Sequence, residues 1–332
     1  MYMDEDLLVI KNLQTHFFTK DGVVKAVNKI DMRIEKAQAV GLVGESGCGK
    51  STISKSIVRL LPKPGKIVGG EIIYKGSDIL KLSEDEVRKL RGKEISLVCQ
   101  DPSSSLNPVY TIGDQIGEAI QVHQKINNKN EVKKKVVEIL SKVGIPDPEK
   151  RYAEHPHVFS GGMKQRVMIA IAIACNPNLI ILDEPTTALD VTTQAQVLEL
   201  TKQLVKDLGA SILLITHNLG IVAEMCDYVY VMYAGSVVES ASVIDIFEKP
   251  VHPYTRLLLK AIPKIGEKRG HLANIPGAVP ELINIPPGCI FADRCFEAQD
   301  KCRISVPPLR EFSPGHKVAC FPHFEDLVME EQ

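Results

Sequence analysis

Each thing this chain lacks closes off a class of protein. It has no excess of one charge: 40 Lys and Arg stand against 41 Asp and Glu, a formal net charge of −1. No broad basic surface for nucleic acid is therefore expected. It has no long hydrophobic run. The longest apolar stretch, Val167 to Cys175, falls far short of the roughly 20 residues that span a bilayer. The first residues, Met1-Tyr-Met-Asp-Glu-Asp, are acidic and carry no apolar signal core, so no secretory peptide is expected. There is no internal repeat and no low-complexity segment. A length of 332 residues leaves room for one large domain with appendages, or for two domains. The expectation is a cytoplasmic chain that docks on something in the membrane.

What is present begins with alternation. Residues 5–36 read as strands, with Ile30, Met32 and Ile34 alternating against polar neighbours. Ala39 to Val43 reads as a short buried strand, Ser51 to Leu61 as a helix stopped near Pro62 and Pro64, and Glu94 to Cys99 as a further strand. From Asp101 to about Met163 no run resembles a buried strand. Val132, Val136, Val137, Leu140 and Val143 mark one helix face ending at Gly144. Leu179–Leu182, Ser211–Ile215 and Tyr228–Met232 read as buried strands, and Val191–Leu208 as a helix stopped by Gly209. Strands alternating with helices predict a parallel α/β sheet. The tail from about Pro250, rich in Pro, Gly and Cys, predicts an irregular appendage.

Three motifs carry chemistry. "GLVGESGCGKST" places Gly44, Gly49, Lys50 and Ser51 in the pattern G-x-x-x-x-G-K-[ST]. There, successive backbone N–H groups form an anion nest at a helix N-terminus. Lys50 would reach the β- and γ-phosphates and Ser51 would ligate Mg²⁺. "NLIILDEP" ends a buried strand in two carboxylates. Asp183 at its tip would hold Mg²⁺, directly or through water, and Glu184 would polarise the attacking water as general base. In "FSGGMKQRV", Ser160 caps a helix and Gly161 and Gly162 bare its first N–H groups, giving a second anion site. Two such helix ends in one chain point to a nucleotide held between two copies of a domain.

Together, "GESGCGKST", "CQDP", "FSGGMKQR", "ILDEPTTALD" and "ITHN" resemble the ATP-binding subunit of an ABC transporter, in order and spacing across roughly residues 5 to 250. The resemblance implies an α/β P-loop NTPase of RecA-like type, with an antiparallel β subdomain and a helical subdomain inserted at about 101–163. It implies that ATP is held by Gly44, Glu45, Ser46, Gly47, Cys48, Gly49, Lys50, Ser51 and Thr52. Phe17 in "THFFTKDG" resembles the aromatic that stacks on adenine, with Phe18 as the fallback. Gln100 resembles the glutamine that senses Mg²⁺ and the nucleophilic water and links to the membrane subunits. Ser160, Gly161 and Gly162 resemble the signature that contacts the γ-phosphate of the partner's ATP. Asp190 resembles the aspartate at the dimer seam, and His217 the switch histidine on the γ-phosphate. Two departures stand in the signature: Phe159 replaces leucine, and Met163 stands where glutamine is commonest. The serine and both glycines remain, so a competent site is expected. His155 and His157 lack any such context and read as structural.

The tail narrows the resemblance. "KPVHPYTRLLLKAIP", "IPGAVPEL", "PPGCIFADRCFEAQDKC" and "QDPSSSLNP" resemble the ATPase subunits of oligopeptide, dipeptide and nickel importers, the D-type subunit by length and late cysteines. The chain then divides into an ATPase domain, 1–250, and a C-terminal region, 251–332. Cys289, Cys295, Cys302 and Cys320 are spaced C-x5-C-x6-C-x17-C. Late clustered cysteines in a reducing compartment point to metal before disulfides. Structural zinc usually uses closer pairs, and four thiolates also hold a [4Fe–4S] cluster; spacing alone leaves both open. The resemblance favours the cluster, with Zn²⁺ as the alternative, in a structural or a redox-sensing role.

The resemblance further implies two integral membrane permease subunits, a second and different ATPase subunit, and an extracellular or periplasmic peptide-binding protein. It places the chain at the cytoplasmic face of the membrane, with peptide import as the work done and no nucleic acid bound. The alternative is a soluble, non-transport ABC ATPase acting on nucleic acid or ribosomes. Such proteins usually carry tandem cassettes, long coiled-coil inserts or basic regions, which this chain lacks.

Overall fold

The computed structural model describes residues 5–187, 189–261 and 275–323. The first four residues of the acidic N-terminus, the stretch 262–274 of the tail, Ala188 in "TALD" and residues 324–332 lie outside the described residues. The strands among the described residues are β1 (Asp6–Thr19), β2 (Gly22–Glu35), β3 (Ala39–Val43), β4 (Gly65–Tyr74), β5 (Ser77–Asp78), β6 (Ile95–Val98), β7 (Leu179–Asp183), β8 (Ser211–Thr216), β9 (Tyr228–Tyr233), β10 (Ser236–Ser242), β11 (Arg310–Ser313) and β12 (His316–Val318). The chain forms two compact units. One comprises residues 1–7, 34–38 and 81–214; the other comprises 8–33, 39–80 and 215–332.

In the first unit β6 and β7 run parallel, in the order β8-β7-β6. All five residues of β7 are buried, which is why its sequence is apolar without alternation. Between residues 101 and 163 the described residues form helices and turns and no strand, as expected. Helix Ile112–Gln124 opens on a capping box between Thr111 and Asp114. Helix Lys129–Lys142 buries Val132, Val136 and Leu140. Gly144 follows it in a left-handed conformation, φ 69°.

The second unit holds the sheet β2-β1-β4-β5, in which β1 and β4 pair antiparallel. Ile30, Met32 and, in the 34–38 segment that belongs to the first unit, Ile34 are buried along β2, the period-two pattern expected of them. β3 and β9 pair in parallel, and β9 and β10 antiparallel. The tail is less irregular than its composition predicts. Pro253–Lys260 is a helix, and β12 pairs antiparallel with both β10 and β11. These strands leave no readable pattern. All four residues of β11 are exposed, and β12 is three residues long.

Candidate functional site

Backbone must come close to backbone where the glycine-rich loop leaves β3. A Cβ on Gly44 would lie 2.1 Å from the carbonyl oxygen of Met232, and one on Gly49 would lie 2.0 Å from that of Ala26. Both glycines also have positive φ, 155° and 103°, so no other residue fits there without moving the chain. The loop feeds helix Lys50–Ile57, whose N-terminus no side chain caps. An anion would take the place a capping oxygen fills elsewhere. Lys50 is 4% exposed. Its Nζ donates to the carbonyls of Gly44 (2.8 Å) and Glu45 (2.9 Å), drawing the loop into a ring around the ammonium. Ser46 and Gly47 face solvent, Ser51 and Thr52 are half-buried, and Cys48 is fully buried, which pushes its thiol pKa up. Glycine-opened backbone, a positive helix end and one buried ammonium match what a Mg²⁺-bound triphosphate requires.

The same unit carries three more of the predicted residues. Phe17 pairs in register with Gly65, and a Cβ on that glycine would lie 2.8 Å from its ring. Gly65 thus gives the ring a flat seat. Phe18 is 45% exposed, with the Lys66 ammonium 5.6 Å from its centroid. His217 is exposed just beyond β8, and the next residue, Asn218, caps helix Leu219–Met225.

In the first unit two of the three catalytic candidates meet. Gln100 Nε2 donates to Glu184 Oε2 at 2.9 Å, and Thr187 Oγ1 donates to the same oxygen at 3.1 Å. Glu184 sits in the left-handed region, φ 49°, a conformation that costs energy for a residue with a Cβ and that clusters at functional positions. Asp183 is buried at the tip of β7. Ser160 caps helix Gly161–Ile173 by accepting from the Met163 N–H at 3.3 Å. Phe159, the departure from leucine, is buried with the Arg151 guanidinium over its ring. A Cβ on Gly162 would lie 2.4 Å from Thr193 Cγ2. Asp190 caps helix Val191–Leu208 by accepting from the Thr193 N–H at 3.0 Å, and those hydrogen bonds hold its carboxyl below the usual range. Thr193 therefore ties the signature glycine to the aspartate. His155 and His157 stack on each other, ring centroids 6.0 Å apart.

The four late cysteines gather in one region. Cys302 and Cys320 are buried, Cys289 and Cys295 half-buried, and the Cys289 N–H donates to the Cys302 carbonyl at 2.7 Å. Burial pushes the Cys289 thiol up to about 11, with Cys302 and Cys295 adding to the rise; burial also raises Cys295 and Cys320. Among the described residues no three of Cys, His, Asp and Glu form a group that could hold a metal ion. Gathered cysteines, buried or half-buried, are what the geometry holds. A ready-made ligand cage is not.

The tail also supplies contacts that the sequence analysis missed. The Tyr254 hydroxyl accepts the Glu45 N–H at 2.9 Å, and Arg294 pairs with the Glu45 carboxylate at 2.7 Å. Tyr233, Tyr254 and Phe291 pack ring against ring with centroids 4.7–5.3 Å apart. No local signal announces these contacts, since Glu45 and Arg294 stand 249 residues apart.

Comparison with known proteins matches this geometry to a family. Residues 27–187 match the ABC transporter family model, and 238–302 the model for the oligopeptide/dipeptide transporter C-terminal region. The chain is 50% identical over 321 residues to the oligopeptide transport ATP-binding protein AppD of Bacillus subtilis, covering 96% of this chain and 98% of AppD. It is 44% identical over 320 residues to the dipeptide transport ATP-binding protein DppD of Escherichia coli, covering 96% and 98%. Among solved structures, the ATP-binding cassette MJ0796, a post-hydrolysis dimer bound to ADP and Pi, matches with a TM-score of 0.64 and 26% identity. That match covers 71% of this chain and 99% of MJ0796.

Proposed function

This chain belongs to the ATP-binding subunits of ABC transporters, in the branch that serves oligopeptide and dipeptide transport, and from that premise we propose how its residues work. It is an ATPase whose hydrolysis energises peptide import. In our reading residues 44–52, with the Lys50 ammonium among them, hold the triphosphate, and Phe17 stacks on adenine. Ser51, Gln100 and Asp183 hold the Mg²⁺, which neutralises charge on the phosphates when bound. Glu184 takes the proton of the attacking water, with Gln100 and Thr187 fixing its carboxylate at 2.9 and 3.1 Å. His217 reads the γ-phosphate. Ser160, Gly161 and Gly162 are offered to the nucleotide of a second subunit across a seam that includes Asp190.

The partners we propose are two membrane permeases, a second ATPase subunit, and a peptide-binding protein outside the membrane. No helix among the described residues is long and apolar enough to cross a membrane, so we propose peripheral attachment at the cytoplasmic face through the permeases. We keep the division into an ATPase domain, 1–250, and a C-terminal region, 251–332. We also propose that Cys289, Cys295, Cys302 and Cys320 take up a [4Fe–4S] cluster, or Zn²⁺ as the alternative. What supports it is the gathering of the four residues in one region; the thiols would have to close in and lose their protons on binding.

The observation that carries the proposal is the loop geometry around Lys50 together with 44–50% identity along nearly the whole chain. The test is calorimetric titration with MgATP. Lys50→Ala should weaken binding by roughly 10- to 100-fold, the value of hydrogen bonds to a charged group. In cells lacking the gene, wild type should restore peptide uptake and Lys50→Ala should not. Equal affinity of the two proteins would refute the role of Lys50.

A further inference from the structure

Arg294 lies in the tail, yet its side chain is 6% exposed and its guanidinium reaches the phosphate loop. Every N–H of that group has an acceptor. Nη1 donates to Glu45 Oε2 at 2.7 Å and to the Tyr233 hydroxyl at 3.1 Å. Nη2 donates to Glu45 Oε1 at 3.1 Å and to the Ile275 carbonyl at 3.2 Å; Nε donates to the Pro276 carbonyl at 2.8 Å. A guanidinium has five N–H donors, and all are spent on a two-pronged grip of one carboxylate and on fixed neighbours. The ring of Tyr233 also lies 5.6 Å from the guanidinium carbon. Ordinary surface ion pairs are loose and single-pronged; this one is built.

Its partner has an unusual address. Glu45 is the second residue of the phosphate loop, and its own carbonyl accepts from Lys50 Nζ at 2.9 Å. A free carboxylate there would repel the triphosphate that the loop is shaped to receive. We infer that Arg294 is a positioning residue for nucleotide binding: it neutralises Glu45 and turns its carboxylate toward the tail, so that the phosphate loop meets ATP without a competing negative charge. The inference rests on the ATP-binding reading above. It gives the C-terminal region a part in nucleotide affinity as well as in architecture.

The test is a set of variants titrated with MgATP by calorimetry, with circular dichroism to confirm folding. Arg294→Met leaves Glu45 unpaired and should weaken binding about tenfold, the scale of one like charge near the phosphates at intermediate dielectric. Arg294→Lys keeps the charge and should stay within threefold of wild type. Adding Glu45→Gln to Arg294→Met should restore most of the lost affinity, because the repelling charge is gone. A purely structural arginine would not be rescued this way. A double variant as weak as Arg294→Met would overturn the inference. So would Arg294→Lys as weak as Arg294→Met, or Arg294→Met binding as well as wild type. Should wild type itself fail to bind MgATP, the ATP reading falls and the inference with it, a result distinct from every variant outcome.

Discussion

Replacing Glu239 by alanine should destabilise the second unit by about 4 kcal/mol. Glu239 sits on β10, opposite Val318 of β12, with no exposure at all. Its Oε1 accepts from the Val251 N–H at 2.7 Å and pairs with His316 Nε2 at 2.8 Å; its Oε2 accepts from the His252 N–H at 3.0 Å. Burial alone would raise its pKa, but the hydrogen bonds from His316 and the two backbone groups hold it below the usual carboxylate range. Alanine strands two backbone N–H groups and an imidazole. Each unsatisfied buried donor costs about 1–3 kcal/mol, and breaking a buried charged contact typically costs about 3–5 kcal/mol. About 4 kcal/mol follows, or a fall of about 8 °C in Tm at roughly 2 °C per kcal/mol. Glu239→Gln retains one acceptor oxygen and should lose about half as much. The chain has no tryptophan, so urea unfolding is best followed by far-ultraviolet circular dichroism. A loss below about 1 kcal/mol for Glu239→Ala would refute the reasoning, since it would mean that water replaces the carboxylate at no cost.

Three further outcomes are expected. Glu184→Gln should bind ATP and turn it over about 100- to 10,000-fold more slowly, the usual cost of losing a general base; steady-state phosphate release within a few-fold of wild type would remove Glu184 from the role. Burial lowers the pKa of His252 from 6.5 to about 4, so the fold disfavours its proton, and stability should fall as pH drops from about 6.5 toward 4, by about 3 kcal/mol in all. His252→Asn keeps a helix-capping side chain and should flatten that part of the pH profile of Tm; an unchanged profile would count against it. Finally, anaerobically purified protein should carry about four irons per chain and lose them on serine replacement of any of Cys289, Cys295, Cys302 or Cys320. Replacement of Cys48, Cys99, Cys175 or Cys226 should leave the iron in place. Stoichiometric zinc without iron would replace the cluster with a structural zinc site.

Where the chain's own local chemistry decides the outcome, the sequence was legible. Helix Val191–Leu208 ends at Gly209, φ 62°, as its apolar period and glycine stop predict. The crowding of glycines around Lys50 is explained by two carbonyls that leave no room for a Cβ. Local chemistry also misled. The helix after the phosphate loop ends at Ile57, well before Leu61, because Arg59 turns left-handed at φ 52° ahead of the prolines. The contacts of Glu45 with Arg294 and of Glu239 with His316 were out of reach. They span 249 and 77 residues, and each involves a charged side chain that in sequence resembles any solvated surface residue.

The interleaving of the two units has a consequence for synthesis. Residues 81–214 leave the ribosome as one nearly continuous stretch of the first unit, whereas the second unit is begun at residue 8 and is not complete until its last segment, which starts at residue 215. The phosphate loop is therefore made early and waits, without Tyr254 and Arg294, while more than 200 residues are added. β10 meanwhile is an open edge until β12 arrives, and unpaired edges recruit other chains. A cassette cut at residue 250 would keep every nucleotide motif and still be frozen in that nascent condition, with an exposed strand and a buried carboxylate stripped of its partners. Aggregation, more than lost catalysis, is what such a truncation should produce.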